Sequence, residues 1–269
     1  MNKRPIGVFD SGIGGLTVVR ELMRQLPHES LIYFGDTARV PYGNKSPDTV
    51  RRYSGEILAF LLSRDVKMVV VACNTASAHA LEALQRDAPV TVEGVIEPGA
   101  RAAVRASGTG RIGVIGTLGT VRSGAYTRAI TALQPGVTVI EQPCPLLVPL
   151  VEEGWLDHPA TRLIAHQYLD PLKHEGIDTL VLACTHYPLL KPLLAEVMGE
   201  GISLIDSAEE TAAAVARELA ASTLHAPPTA QTSAHFVVSD APDTFERVGA
   251  AFLGERVRDV ETVPLGEHR

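Results

Sequence analysis

The chain is short of cysteine, of positive charge and of long apolar runs, and each shortage removes a class of protein. It has 3 cysteines in 269 residues. They are odd in number and far apart, which argues against a disulfide framework and for free thiols in a reducing compartment. Lys and Arg number 24 against 31 Asp and Glu, a formal net charge of -7, and the basic residues gather into no stripe. Neither nucleic acid nor an acidic membrane is therefore expected as a partner. No segment approaches the roughly 20 apolar residues needed to span a bilayer. After Met1–Pro5 no apolar stretch of signal-peptide length runs before Asp10 and Gly12 interrupt it, so a cytoplasmic location is expected.

What is present is the material of a globular protein, with 45% hydrophobic and 20% charged residues. The length suits two α/β domains. Buried-strand signals at Ile6–Phe9, Ser30–Phe34, Met68–Ala72 and Val90–Ile96 alternate with helical patterns at Leu16–Leu26, Pro47–Ser63 and Ser77–Asp87, which predicts parallel βαβ units. The order then restarts. Arg111–Val121 mirrors Pro5–Gly15, Val137–Glu141 is a strand signal, Thr161–His174 a helix, and Thr179–Ala183 a second strand ending in Ala-Cys. Two matched segments at nearly one spacing predict an internal duplication. The copies differ in chemistry, because Gly116 stands where the first has Asp10. After Ser203–Asp206 and a helix at Ser207–Ser222, the strand signals His235–Ser239 and Val257–Val263 flank a helix at Pro242–Leu253, more than a second copy needs. These are assigned back to the first domain. The expected architecture is two pseudo-symmetric α/β domains with mainly parallel sheets, 1–97 plus 208–269 and 98–207, with the active site in the interdomain cleft.

Parallel α/β sheets bind ligands at the carboxyl ends of their strands, where helix N-termini offer free N–H groups. Cys73 and Cys184 both fall there, each after a β-branched apolar run and before small polar residues. One buried cysteine is ordinarily inert; two at equivalent strand ends suit moving a proton on or off one carbon from either side. His186, two residues beyond Cys184, could take the thiol proton, and Asp10 could serve Cys73 as proton acceptor or hold an ammonium group. Cys144, between Pro143 and Pro145, lacks this setting and reads as structural. A zinc site from Cys73, Cys184 and His186 has no Cys-x-x-Cys pair. The turn Gly12–Gly15 could cradle an anion but matches neither a dinucleotide nor a Walker pattern. A cysteine hydrolase with His186 as base leaves one thiol unexplained. A non-catalytic amino-acid or metal-binding module is the alternative of a different class.

Four motifs, Asp10–Gly15, Gly35–Gly43, Cys73–Ser77 and Cys184–Pro188, together resemble the bacterial glutamate racemases, from Pro5 to about Thr211. The wider family also contains aspartate racemases, which similarly use two cysteines. The resemblance implies interconversion of L- and D-glutamate without cofactor or metal, supplying D-glutamate for peptidoglycan, by a protein that commonly forms homodimers. It implies Cys73 and Cys184 as the acid and base, Cys73 serving the D form and Cys184 the L form, with Asp10, His186 and Glu152 assisting. Substrate contacts are expected from Asp10, Ser11, Pro41, Tyr42, Gly43, Asn74, Thr75, Thr117, Thr185 and His186. No arginine lies within the cysteine motifs, so the expected stabilisers of a carbanionic state are backbone N–H groups and hydroxyls at helix starts.

Overall fold

A computed structural model describes residues 1–254 and 257–266. Two sheets organise the chain. The first repeat runs β1 (Ile6–Asp10), α1 (Leu16–Gln25), β2 (Leu31–Gly35), α2 (Pro47–Ser63), β3 (Met68–Val71), α3 (Asn74–Asp87) and β4 (Thr91–Gly94). After α4 (Ile96–Ala106) come β5 (Arg111–Gly116), α5 (Leu118–Ser123), α6 (Ala125–Leu133), β6 (Thr138–Pro143), α7 (Leu147–Glu152), α8 (Pro159–His174), β7 (Thr179–Ala183), α9 (Lys191–Met198) and β8 (Ser203–Asp206). The chain ends on α10 (Ser207–Ala221), β9 (Ala234–Val238), α11 (Pro242–Leu253) and β10 (Glu261–Thr262).

The six-stranded sheet has the order β10-β9-β2-β1-β3-β4 and the four-stranded sheet β6-β5-β7-β8. Every pairing in both is parallel. The second sheet thus repeats the order β2-β1-β3-β4, and β9 and β10 extend the first sheet beyond β2. Residues of β1, β3 and β7 are buried throughout, which is why these strands read as continuous apolar runs and not as alternating ones. Helices α4 and α10 pack side by side where the chain passes between the sheets. On that basis we propose domain boundaries near positions 97 and 207; positions 255–256 and 267–269 of the first-domain range lie outside the described residues.

Several boundaries differ from the sequence expectation, and three of them have a clear local reason. Helix α3 starts at Asn74 and not Ser77, because the sulfur of Cys73 caps it by accepting the Ala76 N–H at 3.4 Å. Strand β4 stops at Gly94 and α4 begins at Ile96, since Pro98 in its first turn lacks only an N–H that no helix would use there. The strand expected over Val257–Val263 narrows to Glu261–Thr262, because Asp259 takes a φ of +56° that breaks the extended path while Val257 turns into the core.

One buried ion pair ties the sheet ends opposite the cysteines. Lys67, before β3, is 1% exposed and bonds Glu29, the Asn2 carbonyl at 3.0 Å and the Leu224 carbonyl at 2.8 Å. Glu29 in turn accepts the Ala226 N–H at 2.8 Å. The pair joins the N-terminus, the entries to β2 and β3 and the chain leaving α10. Lys67→Met leaves the buried carboxylate with only the half-exposed His225, 3.7 Å away, in place of an ammonium, so urea unfolding should show a loss of about 3–5 kcal/mol. Adding Glu29→Gln to that variant should recover part of the loss.

Candidate active site

The two sheets present their carboxyl ends to one small cavity of about 50 Å³. Into it come Ser11 from the end of β1, Cys73 from β3, Thr117 from β5 and Cys184 from β7, with Asn74, Thr75, Thr185 and His186 following them. Pro41, Tyr42 and Gly43 form another wall and Glu152, at the end of α7, a further one. Every residue expected at the site therefore lines this cavity except Asp10, which lies buried beneath it. The sequence reading missed three lining residues, Gly12, Val40 and Val148. A cleft of about 840 Å³ between α3, α4 and α6 is far larger but contains no cysteine, and it is the chemistry that marks the smaller cavity. Among the described residues no group of three or more His, Cys, Asp and Glu is arranged to hold a metal ion.

Cys73 is 5% exposed and donates toward the Ser11 hydroxyl at 3.7 Å. Burial first, and then the nearby Asp10 charge, push its thiol up to about 12, against the opposing pull of the Ala76 and Ser11 N–H groups. At pH 7 these influences favour the neutral thiol. Asp10 is 1% exposed; its Oδ2 accepts the N–H groups of Gly12 at 3.2 Å and Gly15 at 3.1 Å, and its Oδ1 has no partner. Burial raises its pKa, partly offset by the charge on His186.

The glycines after β1 answer to packing, and the N–H groups of Gly12 and Gly15 turn inward to the Asp10 carboxylate. A side chain at Gly14 would stand 2.5 Å from Nδ1 of His186, and one at Gly15 equally close to Cβ of Asp10. The bare Gly14 lets the strand end of one sheet meet that of the other, while Gly15 makes room for Asp10 and Tyr33 of its own sheet. Thr17 fixes this approach by donating to the Thr185 carbonyl at 3.1 Å.

Around Cys184 the groups form a chain. Its sulfur lies 3.8 Å from Nδ1 of His186, and Nε2 of His186 lies 2.9 Å from Oε1 of Glu152. Burial disfavours a charged imidazole, but the hydrogen bonds with Cys184 and Glu152 prevail and hold His186 up at about 10. The ring can thus carry both protons, one toward each partner, with Phe252 packed edge-on at 5.2 Å. Cys144 lies in the core away from this chain, its thiol donating to the Gln142 carbonyl at 3.6 Å.

The wall Pro41–Gly43 depends on residues to which the sequence assigned no role. Asp36, fully buried, accepts from the Tyr42 hydroxyl, from Nε of Arg39 at 2.8 Å and from the Ser239 hydroxyl at 2.9 Å. The Arg39 guanidinium pairs with Glu56 and lies 3.9 Å over the Tyr53 ring. Across the cavity, the hydroxyls of Thr75 and Thr117 meet at 2.9 Å, and both reach the buried Thr120.

Residues 6–215 match the family model described as Asp/Glu/Hydantoin racemase. A glutamate racemase of Geobacter metallireducens is 56% identical over 262 residues, 97% of each chain. The crystal structure of glutamate racemase isoform RacE1 from Bacillus anthracis aligns at a TM-score of 0.94 with 41% identity, covering 98% of each chain. That of a Francisella tularensis glutamate racemase in complex with D-glutamate aligns at 0.91 with 37% identity, again over 98% of each.

Replacing Glu152 by Gln removes the carboxylate that helps hold the second proton on His186. The imidazole titration, followed by NMR, should fall from about 10 toward the ordinary 6.5. Turnover at neutral pH should drop by about 10-fold or more, as expected when an acid–base group loses its partner. An unmoved titration would separate Glu152 from the histidine.

Proposed function

The chain belongs to the Asp/Glu/hydantoin racemase family, and on that premise we propose that it is a glutamate racemase whose two thiols work on opposite faces of the substrate's α-carbon. It interconverts L- and D-glutamate without a cofactor and supplies the D form for peptidoglycan. The observation that carries the mechanism is the pair Cys73 and Cys184, at equivalent ends of two like-ordered sheets, both opening on one cavity. Homodimerisation and a cytoplasmic location belong to the same reading and rest on the resemblance of the motifs. Among the described residues no helix is long and apolar enough to cross a membrane.

In each direction one cysteine, as thiolate, removes the α-proton, and the other, as thiol, gives its proton to the opposite face. One C–H bond breaks and another forms, and the two sulfurs exchange protonation states. On one side His186 takes or returns a proton at Cys184, oriented by Glu152. On the other, burial and the Asp10 charge favour the neutral Cys73 thiol, so it needs a positive charge before it can act as base. The substrate ammonium supplies one, and Asp10, with a free carboxylate oxygen, holds that ammonium nearby. General acid–base transfer contributes about 10²–10⁴ in rate, too little alone for so weakly acidic a C–H. The remainder comes from donors aimed at the substrate carboxylates and at charge developing on the carbanion: Ser11, Asn74, Thr75, Thr117, Thr185 and the start of α3. Pro41, Tyr42 and Gly43 close the cavity, and exclusion of water strengthens each of these contacts.

Each glutamate enantiomer incubated in deuterated water should lose optical rotation, followed by circular dichroism, while deuterium appears at the α-carbon. No loss and no exchange would sink the reading in favour of a binding module, and turnover of aspartate but not glutamate would shift it to the sister activity. Cys73→Ala and Cys184→Ala should each lower racemisation at least about 100-fold. If either variant keeps near-parental racemisation, the two-thiol assignment is wrong.

A further inference from the structure

Asn74 opens α3 on the cavity wall at 2% exposure, and the two ends of its amide are treated differently. Oδ1 accepts a hydrogen bond from the Tyr126 hydroxyl at 2.7 Å, whereas Nδ2 is buried with no partner. An orphaned buried donor of this kind ordinarily costs about 1–3 kcal/mol, so its retention calls for a ligand acceptor. Tyr126 is fully buried on α6, in the other lobe from Asn74, with Ser207 at the start of α10 beside it. Burial keeps the phenol protonated far above neutral pH, so it faces Asn74 as a donor. Gly99 leaves the hydroxyl its space; a side chain there would stand 3.3 Å from it.

An asparagine amide is nearly symmetric in shape and can present either end. A carbonyl turned to the cavity would repel a carboxylate, while an NH₂ attracts one. We infer that Tyr126 is a positioning residue which, by donating to Oδ1 from the opposite lobe, turns the Asn74 amide so that its N–H groups face a substrate carboxylate. Because the bond crosses between lobes, the donors are presented only when the cleft is closed. This inference rests on the glutamate racemase reading.

The test is a double-mutant cycle of Tyr126→Phe and Asn74→Ala in the full chain, assayed with both enantiomers. Tyr126→Phe should raise KM about 10-fold with kcat within about 3-fold, as loss of uniform binding requires. Since the equilibrium constant of racemisation is 1, kcat/KM must fall by one factor in both directions, an internal check on the data. In the Asn74→Ala background Tyr126→Phe should change KM less than 2-fold. Gly99→Ala, which crowds the hydroxyl without removing it, should raise KM in the same direction by a smaller factor, and it carries the test if Tyr126→Phe lowers the thermal midpoint below assay temperature. A loss of the same size with and without Asn74 would mean that Tyr126 only supports the fold, and an unchanged KM in both Tyr126→Phe and Gly99→Ala would overturn the inference. Failure of the unmutated protein to racemise glutamate would instead defeat the underlying function, so the two failures are distinguishable.

Discussion

Within each sheet the strands are parallel, and the two sheets present their carboxyl ends to one cavity; the place of every reactive group follows from that. A parallel strand feeds a helix at this end, so each sheet offers a turn, a capping side chain and a set of free N–H groups to the same small space. Here the cap is itself part of the chemistry. Cys73 caps α3 and Thr117 caps α5. The same geometry offers a protein of net charge -7 a local attraction for an anion, made of backbone N–H groups and not of lysines.

Burial serves the two thiols unequally. It protects both from water, but a buried thiol resists ionisation, and Asp10 adds to that resistance at Cys73. Cys184 has a histidine with a second proton beside it, backed by a half-exposed glutamate. The duplicated framework therefore carries one side with a cationic partner built in and one without. Gly116, where the first copy has Asp10, marks in the chain itself that the halves diverged.

Much of this was legible in the sequence because the signals were local. The doubly buried strands stand out as apolar runs, and the cysteines sit one or two residues beyond them. The early start of α3 was hidden because a sulfur is not among the usual capping groups, and α4 because Pro98 and Gly99 read as breakers. The supporting shell was illegible for a different reason. Asp36 meets Ser239, and Asn74 meets Tyr126, only through tertiary folding, and no spacing in the chain announces such a pair. The glycines after β1 were noticed, but the reason for Gly14, the approach of His186, belongs to the other sheet.

The repeated strand order has a consequence for stereochemistry. A carbon that has lost its α-proton becomes flat, and the handedness that separates its two parent molecules disappears. What remains distinguishable is only which side is up, and a half-turn exchanges the sides. No arrangement of L-amino acids can be the mirror image of itself, but two copies of one βαβ unit set end to end can approximate a half-turn. Duplication thus lets a chiral chain offer like strand ends to both sides of one flat carbon.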